Sequence, residues 1–119
     1  MKTETIYFEK LGFEITYYIG KNSADNFDVI DMGSPNDIWF HIENVSSSHV
    51  VMILPENGHK LNSKIYNTIL KQGALLCKQN TKKMVSMQNV NITYTKLKNV
   101  LKTTRPGSVI TQNIKTITI

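Results

Sequence analysis

Acidic residues are missing from the second half of the sequence. All nine Asp and Glu side chains lie between Glu4 and Glu56, whereas residues 57–119 contain ten lysines and Arg105. Residues 1–56, with three lysines against nine acids, carry a charge of −6, residues 57–119 carry +11, and the net charge is +5. A codon bias toward Lys, Asn and Ile explains many lysines, but it does not explain 63 residues without an acid. The asymmetry favours a surface that binds a polyanion.

Cysteines and long apolar runs are also scarce. Cys77 is the single cysteine, so an internal disulfide is excluded, and we expect a free, buried thiol in a reducing compartment. The longest apolar run, VVMIL at 50–54, is too short to cross a bilayer. Residues 1–10 show no signal-peptide pattern. We therefore expect one domain over residues 1–119 in an intracellular, cytoplasmic protein without membrane association.

Hydrophobic periodicity predicts an α+β domain. The predicted strands cover residues 5–9, 13–19, 37–43, 49–54, 90–95, 108–112 and 115–119. One helix is predicted between Ser23, as its N-cap, and Gly33, and a second over residues 60–80. The order ββαββαβββ indicates a mostly antiparallel sheet with two main helices packed on it. The last two strands are predicted to form a hairpin, whose C-terminal edge strand is open to pairing with a partner chain.

The predicted helix over residues 60–80 has a basic side. Lys60, Lys64, Lys71 and Lys78 lie within roughly 40° of arc opposite the apolar side, along about 27 Å. Exposed helices commonly pair Glu with Lys, but this one contains no acid. An ordinary solvated surface is the alternative, although the stripe favours polyanion binding. The basic residues that would extend this surface are Lys82, Lys83, Lys96, Lys98, Lys102 and Arg105.

Histidines and serines are concentrated in DIWFHIENVSSSHVVM at 37–52. Ser47 and Ser48 could act as nucleophiles and His41 or His49 as a base, but nothing identifies a group that would orient the base, and no GxSxG motif is present. We interpret the serine run as a turn between two strands. A small hydrolase that uses Ser48 with His49 or His41 is the weaker alternative.

Metal and phosphate-loop motifs are absent as well. His41, His49, His59 and Cys77 do not have the spacing of a zinc site. No glycine-rich loop of the kind that cradles nucleotide phosphates is present. We therefore expect no cofactor, no metal ligand and no catalytic residue.

Two local features remain open between structural and binding roles. Trp39 and His41 share one face of a predicted strand, where Trp39 fits equally a core position or a platform for stacking on bases. For His41, a hydrogen-bonded structural role is slightly preferred. Residues 20–22, GKN, lie between a strand and a helix. They form either a simple turn or an anion site with backbone N–H groups and Lys21.

Four segments together resemble one family. They are IGKNSADN (19–26), NDIWFHIENVSSSHVVM (36–52), VNITYT (90–95) and RPGSVITQNIKTITI (105–119). In this order, over essentially the whole chain, they resemble the NFACT-R module, the RNA-binding domain of the NEMF, FbpA and Caliban proteins of ribosome-associated quality control. The chain looks most like the short, stand-alone eukaryotic members that contain a coiled coil, but without the coiled coil.

The family's motifs fall on numbered residues of this chain. Its G-[RK]-N-x-x-x-N falls on Gly20, Lys21, Asn22 and Asn26, and its D-x-W-F-H on Asp37, Trp39, Phe40 and His41. Its P-G-S-H-V falls on residues 46–50, where Ser46 and Ser47 replace Pro-Gly and imply a differently shaped turn. The basic segment that follows is represented by Lys96, Lys98, Lys102 and Arg105. The resemblance implies nucleic-acid binding without catalysis.

The main hypothesis is a non-catalytic module that binds RNA, ribosome- or tRNA-associated, through a basic face in residues 60–115. DNA is an open alternative to RNA, ribosomal or other proteins are further possible partners, and the oligomeric state is open. The candidate nucleic-acid-binding residues are Lys21, Asn22, Trp39, His41, Ser48, His49, Lys60, Lys64, Lys71, Lys78, Lys82, Lys83, Lys96, Lys98, Lys102 and Arg105. The alternative function is a protein-interaction adaptor that docks through the C-terminal edge strand or the acidic N-terminal half.

Overall fold

A six-stranded antiparallel sheet forms the centre of the computed structural model, which describes residues 1–56 and 61–119. The strands are β1 (Lys2–Phe8), β2 (Phe13–Ile19), β3 (Ile38–Ile42), β4 (Val50–Ile53), β5 (Asn91–Lys96), β6 (Val100–Lys102), β7 (Val109–Thr111) and β8 (Lys115–Thr118). The helices are α1 (Ser23–Asp31) and α2 (Ser63–Gln79). The large sheet has the order β1-β2-β4-β3-β5-β8, and β6 and β7 form a separate two-stranded ribbon.

Helix α2 covers one face of the large sheet. Strand β3 alternates, so that Ile38, Phe40 and Ile42 join the main core with the buried side of α2. The helix packs tightly against β3 at Gly73, where a Cβ atom would overlap the Phe40 ring. The Tyr17 hydroxyl on β2 donates to the Ile69 carbonyl of α2 at 2.8 Å. The helix is therefore held flat on the sheet, and its basic side points away from it.

Helix α1 and the β6–β7 ribbon cover the other face. Trp39 packs there in a second cluster with Val29, Val51, Leu97 and Val100. Sequence reasoning placed the N-cap of α1 at Ser23, which is wrong by one residue. Asn22 is the N-cap, and its Oδ1 accepts the backbone N–H of Asp25 at 2.9 Å.

The α+β class and the predicted order of elements are confirmed, with one additional short strand, β6. The predicted hairpin of the last two strands is wrong. Strand β7 pairs with β6, and β8 pairs with β5. The segment between β7 and β8 is held against β5, because the Thr95 hydroxyl of β5 donates to the Gln112 carbonyl at 3.0 Å. Ile117 then packs against the main core.

One further expectation, that of a free and buried cysteine, is confirmed. Cys77 is free and buried, and burial raises the pKa of its thiol to about 12. Among residues 1–56 and 61–119, no helix is long and apolar enough to cross a membrane. Lys60, a predicted member of the lysine stripe, lies outside the described residues.

Candidate nucleic-acid interface

A cleft of about 610 Å³ opens on the α1 side of the sheet. Its floor is formed by Trp39, His41, His49 and Thr93, from the adjacent strands β3 and β5 and the residue that precedes β4. One wall is the N-terminal turn of α1 with residues 43–47, and the other is the loop between β6 and β7, which carries Arg105. Four separate stretches of sequence, residues 23–26, 39–49, 93 and 105–114, therefore meet around one concave site.

The floor of the cleft is a packed aromatic cluster. The rings of Trp39 and His41 are stacked 5° from parallel with centroids 5.6 Å apart. His49 lies edge-on to both, at 5.3 Å from Trp39 and 4.9 Å from His41. The Trp39 indole N–H donates to His49 Nδ1 at 3.1 Å, so the proton of the neutral imidazole is on Nε2.

Both imidazoles of the floor are neutral at pH 7. Burial, reinforced by the neighbouring His41, lowers the pKa of His49 from 6.5 to about 3. Burial also lowers the pKa of His41. The floor can therefore stack and exchange hydrogen bonds with a ligand, but it offers no positive charge near neutral pH.

The serine run is a junction between the elements around the cleft. The Ser48 hydroxyl donates to the Gly20 carbonyl at 2.7 Å, and the Ser48 backbone N–H donates to Thr81 Oγ1 at 3.0 Å. Ser47 Oγ accepts the Ile42 backbone N–H at 3.0 Å. Within the described residues, neither hydroxyl is hydrogen-bonded to an imidazole. The geometry gives these serines a positioning role.

Asn26 ties α1 to the same junction. Its Oδ1 accepts the His49 backbone N–H at 3.0 Å, and its Nδ2 donates to the Ser47 carbonyl at 3.3 Å. Gly20 leaves the space that this carboxamide needs, because a Cβ atom there would overlap Asn26 Oδ1. The glycine and the asparagine of the segment IGKNSADN thus act together with His49, although 23 residues separate Asn26 from it.

A second pocket of about 470 Å³ adjoins the cleft. The two share Ser23, Asn26, Ser46 and Ser47 as lining residues, so they form one surface. Three exposed lysines line this pocket, namely Lys21, Lys82 and Lys83. We call the cleft and this pocket together the α1-side surface. Among the described residues, its lining contains four cationic side chains, the three lysines and Arg105, and one acidic side chain, Glu43.

The structure brings only part of the predicted site together. The predicted residues that line the α1-side surface are Lys21, Asn22, Trp39, His41, Ser48, His49, Lys82, Lys83 and Arg105. Lys64, Lys71 and Lys78 lie on the opposite layer, on the outer side of α2. Lys96 and Lys98 line a separate groove near α2. Lys102 is ion-paired with Asp31 at 2.6 Å, and its Nζ lies 5.3 Å from the centre of the Phe27 ring.

Asn26 and Thr81 are central to the site but were not among the predicted site residues. The position of Asn26 in the motif G-K-N-x-x-x-N marks it as a family residue, but the motif does not indicate what the side chain does. Thr81 had no local signal. Its hydroxyl donates to the Cys77 carbonyl at 2.9 Å and accepts from Ser48, so its role depends on a contact across 33 residues.

The fold, with its concave, cation-bearing surface, fits the class of nucleic-acid-binding modules. The sequence profile of the NFACT protein RNA-binding domain matches residues 5–113, and the chain belongs to this family. The family resemblance seen in the sequence is thereby confirmed.

The chain is similar to coiled-coil domain-containing protein 25 of Mus musculus, with 41% identity over 88 residues, 74% of this chain and 41% of the relative. It is also similar to the Dictyostelium discoideum homolog, with 34% identity over 110 residues, 91% of this chain and 52% of the relative. The chain thus spans about half the length of these relatives, or less.

A solved structure shares the fold. It is the C-terminal part of the fibronectin/fibrinogen-binding protein from Streptococcus suis, with a TM-score of 0.76 and 24% identity. The match covers all of this chain and 45% of that one.

Proposed function

We propose that this chain binds RNA through the α1-side surface. The observation that carries the proposal is the continuity of two features, a recessed, neutral aromatic floor and a rim of four cationic side chains. RNA is recognised mainly where unstacked bases meet aromatic or imidazole groups while cations hold the phosphates. Membership of an RNA-binding family supports the same proposal.

Within this proposal the rim holds phosphates and the floor meets a base. Lys21, Lys82, Lys83 and Arg105 are exposed and available to phosphate oxygens. His41 is the floor residue that a base would touch, because it is partly exposed, whereas Trp39 and His49 are 2% and 1% exposed. Those two residues hold His41 in place, and Ser48 anchors the wall beside it.

The lysines on α2 have a different part in the proposal. Lys64, Lys71 and Lys78 face away from the α1-side surface, on a convex helix. They add a long-range positive field that attracts RNA and is screened by salt. A ribosome- or tRNA-associated RNA is the proposed partner, supported by the family resemblance.

The single tryptophan allows a direct test. Trp39 lies in the cleft floor, so RNA that enters the cleft should change its emission, whereas RNA on α2 should not. Four phosphate contacts on a single strand predict an affinity loss of roughly 50-fold between about 50 mM and about 200 mM salt. Fluorescence and anisotropy titrations with single-stranded RNA, duplex RNA and DNA of one sequence measure both quantities.

Arg105→Glu and Lys10→Glu make a matched pair for this titration. Both change the net charge equally, but Lys10 lies in the turn between β1 and β2 and lines neither part of the α1-side surface. We expect roughly a 20-fold loss for the first and less than about a two-fold loss for the second. RNA binding without a change in Trp39 emission would refute the proposed site.

A protein-interaction adaptor is the second candidate, and the position of β8 favours it. Strand β8 is the last strand in the sheet order, so in the described part of the chain its outer edge has no strand partner. Such an edge can accept a strand from another protein. The backbone N–H of the exposed Thr116 lies on the outer side of β8, because Ile119 bonds inward to Val90 and the inward-bonded residues of an antiparallel strand alternate. Protein capture that survives nuclease treatment and is lost in a Thr116→Pro variant would support this function, and capture lost with the RNA would argue against it.

A further inference from the structure

A small groove of about 280 Å³ lies on the α2 side of the sheet, near its β8 edge. Its lining includes Tyr66 of α2, Tyr94 and Lys96 of β5, Lys98, Asn113 and Lys115. The Tyr94 ring lies against Phe40, with centroids 6.1 Å apart, and so belongs to the α2 side. Thr93 points into the cleft, because successive strand residues face opposite sides. The groove is therefore distinct from the α1-side surface.

Its cations are concentrated and available. Lys96, Lys98 and Lys115 are exposed, and no acidic side chain of the described part of the chain lines the groove. Within residues 1–56 and 61–119, none of the three lysines forms an ion pair, in contrast to Lys102. An anion of more than one charge would relieve the repulsion among three lysines that share one groove.

The same groove has a half-buried aromatic wall. Tyr66 and Tyr94 are partly exposed, and neither phenol has a hydrogen-bond partner among the described residues. Burial, together with the nearby Tyr94, raises the pKa of Tyr66, so the Tyr66 phenol is a neutral donor at pH 7. Phenol rings stack on planar bases, and ammonium groups bind phosphate oxygens.

The geometry points to a binding site for a nucleoside monophosphate, with Lys96, Lys98 and Lys115 on the phosphate and the Tyr66–Tyr94 wall against the base. The volume is close to the lower end for small-ligand sites, roughly 300 Å³. A phosphate monoester carries about −1.5 to −2 at pH 7, more than a phosphodiester. The ligand is a free mononucleotide or the phosphorylated end of a strand, and only the second source rests on the proposed function.

Two titrations distinguish the sources. In the first, adenosine 5′-monophosphate and adenosine are added to the ¹⁵N-labelled protein. We expect the monophosphate alone to shift the amides of residues 94–99 and 113–115. In the second, a short RNA is compared with a 5′-phosphate and with a 5′-hydroxyl. We expect at least about five-fold tighter binding of the phosphorylated strand if the groove takes strand ends, and equal binding if it takes only the free nucleotide.

Variants separate this site from the α1-side surface. Lys98→Glu/Lys115→Glu should reduce the affinity for the monophosphate at least ten-fold, whereas the matched double variant Lys2→Glu/Lys10→Glu should leave it within two-fold. Arg105→Glu should leave monophosphate binding intact even if RNA binding is lost. The proposal is overturned if the monophosphate shifts no groove amide and the two RNAs bind equally, or if the matched variants lose affinity equally.

Discussion

The α1-side surface and the outer side of α2 carry cations in different settings. On the α1 side, Lys21, Lys82, Lys83 and Arg105 surround a recessed aromatic floor. On α2, Lys64, Lys71 and Lys78 follow a convex helix with no concave site between them in the described residues. In the described residues, the cations of the α1 side surround a concavity built from separate segments, whereas those of α2 contribute positive potential without one.

The two regions also differ in how their side chains are fixed. The wall of the cleft is held by hydrogen bonds between residues distant in sequence. They join Asn26 to Ser47 and His49, and Ser48 to Gly20 and Thr81. The α2 lysines project from a helix whose order depends on apolar packing at its other side. A preorganised wall loses little entropy on binding.

Charge reversal gives the largest predicted difference between the two regions. Lys21→Glu/Lys82→Glu/Lys83→Glu and Lys64→Glu/Lys71→Glu/Lys78→Glu change the net charge equally. We expect the first to weaken RNA binding roughly 300-fold and the second roughly five-fold at about 0.1 M salt, because only the first removes direct phosphate contacts. Anisotropy titrations measure the affinities, and circular dichroism checks the folds. Equal losses would mean that the field alone accounts for binding.

Acid should weaken the cleft region through His49. The unfolded chain protonates this His near 6.5, but the folded chain keeps it neutral down to about 3. Between these values the unfolded state binds more protons, so stability falls as the pH falls through this window. From pH 7 to pH 4 the loss amounts to about 3 kcal/mol. Urea unfolding at both pH values measures it.

His49→Gln is the control for this pH dependence, because it removes the titration and keeps a group that can accept from Trp39. Between pH 7 and pH 4, the free energy of unfolding of this variant should fall by about 3 kcal/mol less than that of the wild type. A variant with the full pH dependence of the wild type would assign the effect to other groups.

Alanine substitutions at two closely packed glycines, one beside each region, should have different effects on RNA affinity. Gly73→Ala inserts a methyl group against Phe40 and should cost about 1–3 kcal/mol of stability, with RNA affinity of the folded protein unchanged. Gly20→Ala displaces Asn26 and should reduce stability similarly, but it should also reduce RNA affinity. Unfolding curves and titrations of the folded variants test both. Unchanged RNA affinity in Gly20→Ala would mean that the hydrogen bonds of Asn26 do not contribute to RNA binding.

Lys102 should show the smallest effect. Its ion pair with Asp31 is partly exposed, so Lys102→Gln should change stability by less than about 1 kcal/mol and RNA affinity by less than two-fold. The neighbouring Arg105→Gln should weaken binding several-fold. Parallel titrations of the two variants decide the point. If Lys102→Gln lost as much RNA affinity as Arg105→Gln, Lys102 would have to be counted among the residues that contact RNA.

Much of the fold could be predicted because its signals are local. Alternation in β2 and β3, and the apolar side of α2, each lie within one segment. The partner of β7 could not be predicted, since it depends on Thr95 fastening Gln112 and on the packing of Ile117. The three-residue β6 is too short to show periodicity.

The sequence by itself determined the α+β class, the order of the elements, the family and the excess of positive charge in residues 57–119. These follow from periodicity, motifs and composition, which are properties of neighbouring residues. Only the tertiary structure decided which cations share a surface. It also decided that His41 is partly exposed in the cleft, whereas His49 is buried and neutral. The reason is physical: charge can be counted along a chain, but concavity, burial and pKa depend on atoms that folding brings together.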